Sequence, residues 1–419
     1  MRLVFFIWCA LVCVSCDHSS SENKVVSMQL IDRSGSVQTL NQEGKVRRFD
    51  TADFLAAQPY QKVTRTYGRD KEGKMKSIIT TYHENGQVFQ YLETVNGRAC
   101  GTYREWHPAG GVRMLAKVIA GVGDVTPEAQ KTWIFDSKSL VWDEEGKIIA
   151  EFLYDKGLLS GKALYFHKNG KIAKEIPYDK DLIKGAIQLF DEEGNLLGQT
   201  QFKEGKKDGF SYFLGNVHLP KREEKYESGK LLSGVYWNFD GSIMREIVDG
   251  CGFKPVFEKG ILKKECEYRD GVPEGEIKVY RANGRLETRH IEKNGEKEGA
   301  EWFYYDVAQE EDHPKLQITW KEDAITGIVR TWHPNKQLQS EREMVDNQRN
   351  GLSIAWYEDG GLMYVEDYQK DKLMSGRYYQ KGSDVPISKI HNGDGTATIY
   401  DAQGRFERKI EYHKSEPVD

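Results

Sequence analysis

Four histidines occupy one recurring position: His83, His107, His167 and His333 each directly follow an aromatic residue. A row of imidazoles is what a shared metal ion would need. If each belongs to its own two-stranded hairpin, neighbours lie about 10 Å apart at ~4.8 Å per strand. An ion held by bonds of ~2 Å to nitrogen cannot span that gap. Asp143, Asp191 and Arg281 fill the same position elsewhere, so it reads as a polar entry to a turn. The acidic runs Asp143-Glu144-Glu145-Gly146 and Asp191-Glu192-Glu193-Gly194 lack the alternating oxygen ligands of a calcium loop and read as solvated tips. No Gly-x-Ser-x-Gly elbow or phosphate-cradling Gly-x-x-x-x-Gly-Lys-[Ser/Thr] loop occurs. Beyond Cys16, Cys100, Cys251 and Cys266 are an odd number at irregular spacing and not a disulfide framework; Cys251 and Cys266 could meet in neighbouring strands, but they read better as two buried free thiols. No catalytic residue, metal or cofactor is expected from these motifs.

The elements that would position such residues follow a strict spacing. A Gly is followed by an aromatic at plus five, a Gly at plus nine, an aliphatic at plus eleven and an aromatic at plus seventeen. Gly161–Phe166–Gly170–Ile172–Tyr178 and Gly185–Phe190–Gly194–Leu196–Phe202 show it in full, as does Gly351–Trp356–Gly360–Leu362–Tyr368. It recurs in Gly395–Tyr400–Gly404–Phe406–Tyr412, and more loosely around Trp106, Tyr280 with Gly284, and Trp332. Copies begin about 24 residues apart, a period that marks a repeat architecture. Residues alternate in character between the turns, as in Ile187 and Leu189 against Ala186 and Gln188, and period two is the mark of a strand. Asn-Gly at 85–86, 169–170 and 283–284 predicts tight turns in which that pair supplies positive φ. The unit between Gly209 and Tyr226 is degenerate, with Leu214 and His218 at the aromatic and Gly positions, and the segment near Gly376 is poor.

The expected fold is therefore all-β, an elongated twisted antiparallel sheet or β-solenoid of stacked hairpins of about 24 residues. The aromatics Trp106, Phe166, Phe190, Tyr280, Trp332, Trp356 and Tyr400 are its structural anchors, and Gly170, Gly194, Gly284, Gly360 and Gly404 its turn glycines. Stacked at equal positions, the anchors are expected to form a ladder, burying roughly 150–250 Å² per ring. A subset left exposed would serve binding.

The pattern Tyr154–Gly157–Gly161–Phe166–Gly170–Ile172 resembles the MORN-variant repeat, including the bacterial group known as YwqK-type antitoxins. The resemblance covers roughly residues 77–413. It implies an extended antiparallel sheet used to dock proteins or lipids, and it supplies no catalytic residue.

Composition and charge narrow the function classes. The chain is 38% hydrophobic and 30% charged, with mean hydropathy −0.67, which suits a linear array better than one thick core. The formal charge is −5 and no basic stripe appears, so nucleic acid is not an expected partner. Met1-Arg2 precedes an apolar run from Leu3 to Val14, then Ser15-Cys16. That layout predicts a secretory signal peptide, and Ser15-Cys16 resembles the lipobox of bacterial lipoproteins, with Cys13 where Leu is usual. Expected divisions are a signal peptide at 1–15, lipid anchor and tether at 16–24, and an N-terminal cap at 25–76 with a short helix near Thr51–Ala57. The repeat array at 77–413 and a tail at 414–419 follow. The expected molecule is a lipidated envelope protein, membrane-attached through Cys16, that binds a protein or lipid partner. An antitoxin-like inhibitor is the second reading and a glycan-active enzyme the third.

Overall fold

The computed structural model describes residues 25–49, 51–308 and 313–418. Cys16, the leader and Glu310-Glu311-Asp312 lie outside the described residues. The described chain is nearly all strand, with two four-residue helices, Glu43–Val46 and Pro127–Gln130, and a 3₁₀ turn at Arg47–Phe49. It divides into two compact units, residues up to 184 with 190–195, and residues 185–189 with 196 onward. In each unit successive strands are antiparallel neighbours, so the all-β hairpin array is present.

In the first unit the hairpin at 161–179 shows how the spacing works. Strands Gly161–Phe166 and Ile172–Asp179 pair with Phe166 opposite Ile172, and Tyr165 then faces Lys174. Ala173 is therefore the extra residue of a bulge. The turn closes through His167 N to the Lys171 carbonyl at 2.8 Å and Gly170 N to the His167 carbonyl at 2.9 Å. This is a four-residue turn followed by a left-handed glycine, φ +83° at Gly170, and the bulge comes with it. Asn169 keeps ordinary φ, so the expected Asn-Gly pair of positive φ values does not occur here. Only the glycine is left-handed.

The paired positive φ values lie at the opposite ends of the strands. Lys156 and Gly157 have φ +48° and +96° between Asp155 and its partner Leu158, and Lys180 and Asp181 have +51° and +66°. These are two-residue turns with the twist that matches paired strands. Turn type thus alternates from one strand end to the other.

The first unit covers part of its sheet. Residues 121–133 hold the Pro127–Gln130 helix, and Val125, Ala129 and Trp133 pack with Leu92, Ala99, Tyr103 and Val118. Trp133 Nε1 donates to the Val122 carbonyl at 2.9 Å, and Arg65 pairs with Asp124 at 2.7 Å. At the start of the described chain, Val46 packs on Met28, Leu30 and Leu40. The expected helix at Thr51–Ala57 is absent; the helical turn sits earlier, at Glu43–Val46. Asp53 Oδ1 takes the Leu55 N–H at 2.9 Å, a local bond that competes with helix.

In the second unit the meander runs through strands Leu196–Lys203 to Glu416–Val418. It contains two buried clusters: Tyr226, Leu231, Tyr236 and Ile247, then Tyr368, Leu373, Tyr378, Ile390 and Ala397. No helix of the described residues is long and apolar enough to cross a membrane.

Candidate functional site

Every expected anchor aromatic is half-buried: Trp106, Phe166, Phe190, Tyr280, Trp332, Trp356 and Tyr400. Apart from Phe190, each pairs across its bulge with an aliphatic or aromatic residue, as Trp106 with Val112, Trp332 with Leu338, Trp356 with Leu362 and Tyr400 with Phe406. Consecutive anchors are two strands apart, about 10 Å at ~4.8 Å per strand, beyond the ~7 Å reach of a ring pair. Among the described residues the ring pairs accordingly join anchors to other positions. Trp332 stacks on Trp302 at 5.6 Å, and Tyr400 meets Phe406 edge-on at 6.2 Å. The expected continuous ring ladder is replaced by rings alternating with aliphatic side chains. Of the cross-bulge partners, Val112, Ile148, Ile243, Leu362 and Phe406 are exposed, whereas Val88 is buried.

The turn glycines all take the left-handed conformation, with φ +83° at Gly170, +86° at Gly194, +82° at Gly284, +86° at Gly360 and +85° at Gly404. Lys336 replaces glycine at the same point with φ +69°.

The histidines are staples. Nε2 of His83 lies 2.9 Å from the Trp106 carbonyl, His107 3.1 Å from Trp142, His167 2.9 Å from Phe190, and His333 2.9 Å from Trp356. A carbonyl only accepts, so Nε2 carries the proton in each. Arg281 and Tyr305 do the same to the carbonyls of Tyr304 and Trp332, at 2.7 and 2.8 Å, and Tyr357 donates to the Tyr379 carbonyl at 2.7 Å. Asn85, Asn169 and Asn335 add a second staple, donating to the carbonyls of Pro108, Glu192 and Glu358 at 2.7, 2.7 and 2.8 Å. Where it holds His, Arg or Tyr, the position after the anchor is a donor aimed at the next hairpin; where it holds Asp143 or Asp191 it is the polar turn entry expected from the sequence.

The opposite strand ends carry a reciprocal clasp. Asp181 N donates to the Leu159 carbonyl at 2.9 Å while its Oδ1 accepts from Leu159 N at 2.7 Å. Asn347 does the same with Ile325, and Asp371 with Arg349.

The first glycine of the unit has its own reason. Glu93, Glu267 and Glu343 accept from the backbone N–H of Thr102, Glu276 and Leu352 at 2.7, 2.6 and 3.1 Å. The preceding residues are Gly101, Gly275 and Gly351, where a Cβ would collide with those carboxylates. Gly161, Gly351 and Gly395 also face Tyr178, Tyr368 and Tyr412 across the ladder, where a ring covers the bare backbone.

Two carboxylates, the buried Glu224 and the half-buried Glu366, stand in one arrangement. Glu224 accepts from Tyr226 and Tyr236 hydroxyls at 3.1 and 2.8 Å, and Glu366 from Tyr368 and Tyr378 at 3.1 and 2.8 Å. Gly234 and Gly376 leave room for the Tyr236 and Tyr378 hydroxyls, which a Cβ would meet at 2.9 and 2.8 Å. Lys254 lies 2.6 Å from Glu224. Burial raises the Glu224 carboxyl, but Lys254 and the donated hydrogen bonds outweigh it and hold the pKa below its usual value. Burial dominates at Glu366 and pushes it up, despite both tyrosines. All four phenols are driven upward by burial and by the adjacent carboxylate.

Asp143 and Asp191 bond their own turns, accepting from Lys147 N and Asn195 N at 2.8 and 2.7 Å. Among the described residues no three His, Cys, Asp or Glu converge to hold a metal. Cys266 is buried, but Cys251 is exposed and Cys100 intermediate, and all three are free. Cys266 faces Lys254 across the ladder rather than Cys251, so the reading of two buried thiols is corrected at Cys251.

The profile of a family described as MORN repeat variant matches residues 159–180 and 325–346. No curated relative matches the chain. Among solved structures, TcdB2-TccC3 without its hypervariable C-terminal region is similar at 9% identity over 89% of this chain and 28% of that one, TM-score 0.15. The Photorhabdus luminescens Tc holotoxin pore is similar at 10% identity over 93% of this chain and 26% of that one, TM-score 0.14. A eukaryotic initiation factor is similar at 12% identity over 84% and 97%, TM-score 0.23. The chain spans about a quarter of the length of the first two of these chains.

Proposed function

We propose that this chain is a MORN-variant scaffold that binds a partner protein along the row of half-exposed anchor pairs and is tethered to a bacterial membrane through lipid on Cys16. The observation that carries the binding reading is the repeated pairing of a half-buried ring with a water-facing aliphatic residue, as at Trp356 and Leu362. Apolar side chains set among charged ones are the composition of a docking surface. The tether reading rests on the charged start, apolar run and Ser15-Cys16 of the leader. The reading assigns the chain no catalysis.

Metabolic labelling with an alkyne fatty acid in a bacterial host tests the tether: label is expected on the full chain and lost in Cys16→Ser. Cross-linking from a photoreactive residue at Leu362 tests the surface. A discrete adduct, lost in Trp356→Ser, is expected; no adduct from that position would sink the binding reading.

A further inference from the structure

The least regular unit of the sequence is also the most unusual place in the second unit of the structure. Between strands Lys206–Phe213 and Arg222–Glu227 the usual turn is replaced by a loop over residues 214–221. Asn216 orders it, its Oδ1 accepting from His218 N and Leu219 N at 2.9 Å each. Leu219 and Pro220 then form one wall of a cavity of about 230 Å³, with Lys207, Arg222, Glu224 and Lys254 around it.

The charges in that cavity do not balance. Lys254 pairs with Glu224 at 2.6 Å. Lys207 reaches only a phenol, Tyr226, at 3.3 Å, and Lys254 touches the same hydroxyl at 3.0 Å. Among the described residues neither Lys207 nor Arg222 has a carboxylate within ion-pair distance. Four cations thus line the cavity with one acid; Lys221 is paired with Glu223 at 2.9 Å, which leaves Lys207, Arg222 and Lys254 around Glu224. Burial, then the neighbouring Lys254, holds the Lys207 ammonium below its usual pKa, a sign that its charge is poorly solvated there.

The sister cluster shows what a balanced version looks like. At Glu366 the residue matching Lys207 is Arg349, which pairs with Asp371 at 3.5 Å. Gly229 stands where Asp371 would be. Tyr364 and Thr396 stand where the first cluster has Arg222 and Lys254. The Glu366 cluster sets Arg342 and Arg349 against Glu366 and Asp371; the Glu224 cluster has Thr200 and Gly229 in place of Arg342 and Asp371, carries Arg222 and Lys254 in addition, and opens beside an apolar wall.

We propose that this cavity binds a small organic oxyanion, a carboxylate or phosphate, which Lys207, Arg222 and Lys254 hold while its short hydrocarbon tail lies against Leu219 and Pro220. Charge-assisted bonds to the oxyanion supply the attraction, and the wall selects for the tail.

Calorimetry of the full chain with hexanoate and hexyl phosphate tests this, with hexan-1-ol as the neutral control. Saturable binding of at least one anion, weakened by added salt, is expected, with none for the alcohol. The double variant Lys207→Gln/Arg222→Gln should lose at least about tenfold in affinity. Its own melting temperature should hold or rise, since like charges have been removed, while the anion raises the melting temperature of the parent alone. Three results would overturn the proposal: no heat with either anion at millimolar concentration, equal binding of hexan-1-ol, or unchanged affinity in a folded double variant. Lys225→Gln on the same strand serves as the control and should leave binding intact.

Discussion

His167 Nε2 sits 2.9 Å from the Phe190 carbonyl, so the side chain after one anchor holds the backbone of the next. Backbone pairing alone joins adjacent strands; this bond skips one and ties a hairpin to its successor. Such bonds are worth about 1 kcal/mol each, more where a buried acceptor is orphaned. His167→Ala should cost about 1 kcal/mol by urea denaturation. His333→Ala should cost more, because His333 is only 2% exposed. Equal and negligible losses at both would show that the staples add nothing.

Gly351 and Glu343 make a second prediction. Gly351 has φ +112°, and a Cβ there would displace the carboxylate that accepts the Leu352 N–H. Gly351→Ala therefore incurs backbone strain and loses that bond, for about 2–3 kcal/mol together. Gly170→Ala meets open space at φ +83°, leaving only the strain of about 1–2 kcal/mol. In a Glu343→Ala background, the added cost of Gly351→Ala should shrink toward that of Gly170→Ala. A double-mutant cycle reads the difference.

The sequence disclosed the strands, the hairpin register and the left-handed turn glycines because each depends on one chain segment. Gly170, Phe166 and Ile172 show their roles by spacing alone. What it hid depends on two segments at once. The His and Asn staples aim at carbonyls of the next hairpin, and a carbonyl leaves no mark on residue type. Asn-Gly does not by itself say which turn it belongs to, because both turn types favour those residues; the residue count between paired strands decides, and that count needs the register. Asp181, Asn347 and Asp371 broke the glycine pattern, yet each uses its side chain to clasp a neighbour. The two poor units shared a legible signal, Glu-x-Tyr with Leu, Gly and Tyr following at equal spacing from Glu224 and Glu366.

Those two carboxylates should respond oppositely to pH. The folded pKa of Glu366 lies above its ordinary 4.5, so the folded state holds the proton more tightly. Stability from this group falls as pH rises from about that ordinary value through the folded pKa, and is regained on acidification. The folded pKa of Glu224 lies below 4.5, so its contribution is present above 4.5 and lost as pH falls through the folded pKa. Glu366→Gln should therefore raise stability at pH 7, with its advantage vanishing as pH drops toward 4.5. Glu224→Gln should destabilise at pH 7 by about 3 kcal/mol, because it leaves Lys254 without its partner. Chemical denaturation at pH 4.5 and 7 separates the two, and the same sign for both variants would contradict the assignment.

The three thiols of the described residues offer a last test that reads the ladder directly. Cys251 is exposed, whereas Cys266 is buried and its thiol is pushed up by that burial. The thiolate is the reacting species, so Cys266 is protected twice, by access and by protonation. A water-soluble maleimide at neutral pH should label Cys251 first and Cys100 more slowly. Cys266 should be labelled only through opening of the strands around it. Sub-denaturing urea should then accelerate Cys266 labelling without changing Cys251, because only the former needs the Cys266–Lys254 ladder to part. Simultaneous labelling of Cys251 and Cys266 in native buffer would mean that the strand Ile261–Arg269 does not hold its place in the sheet.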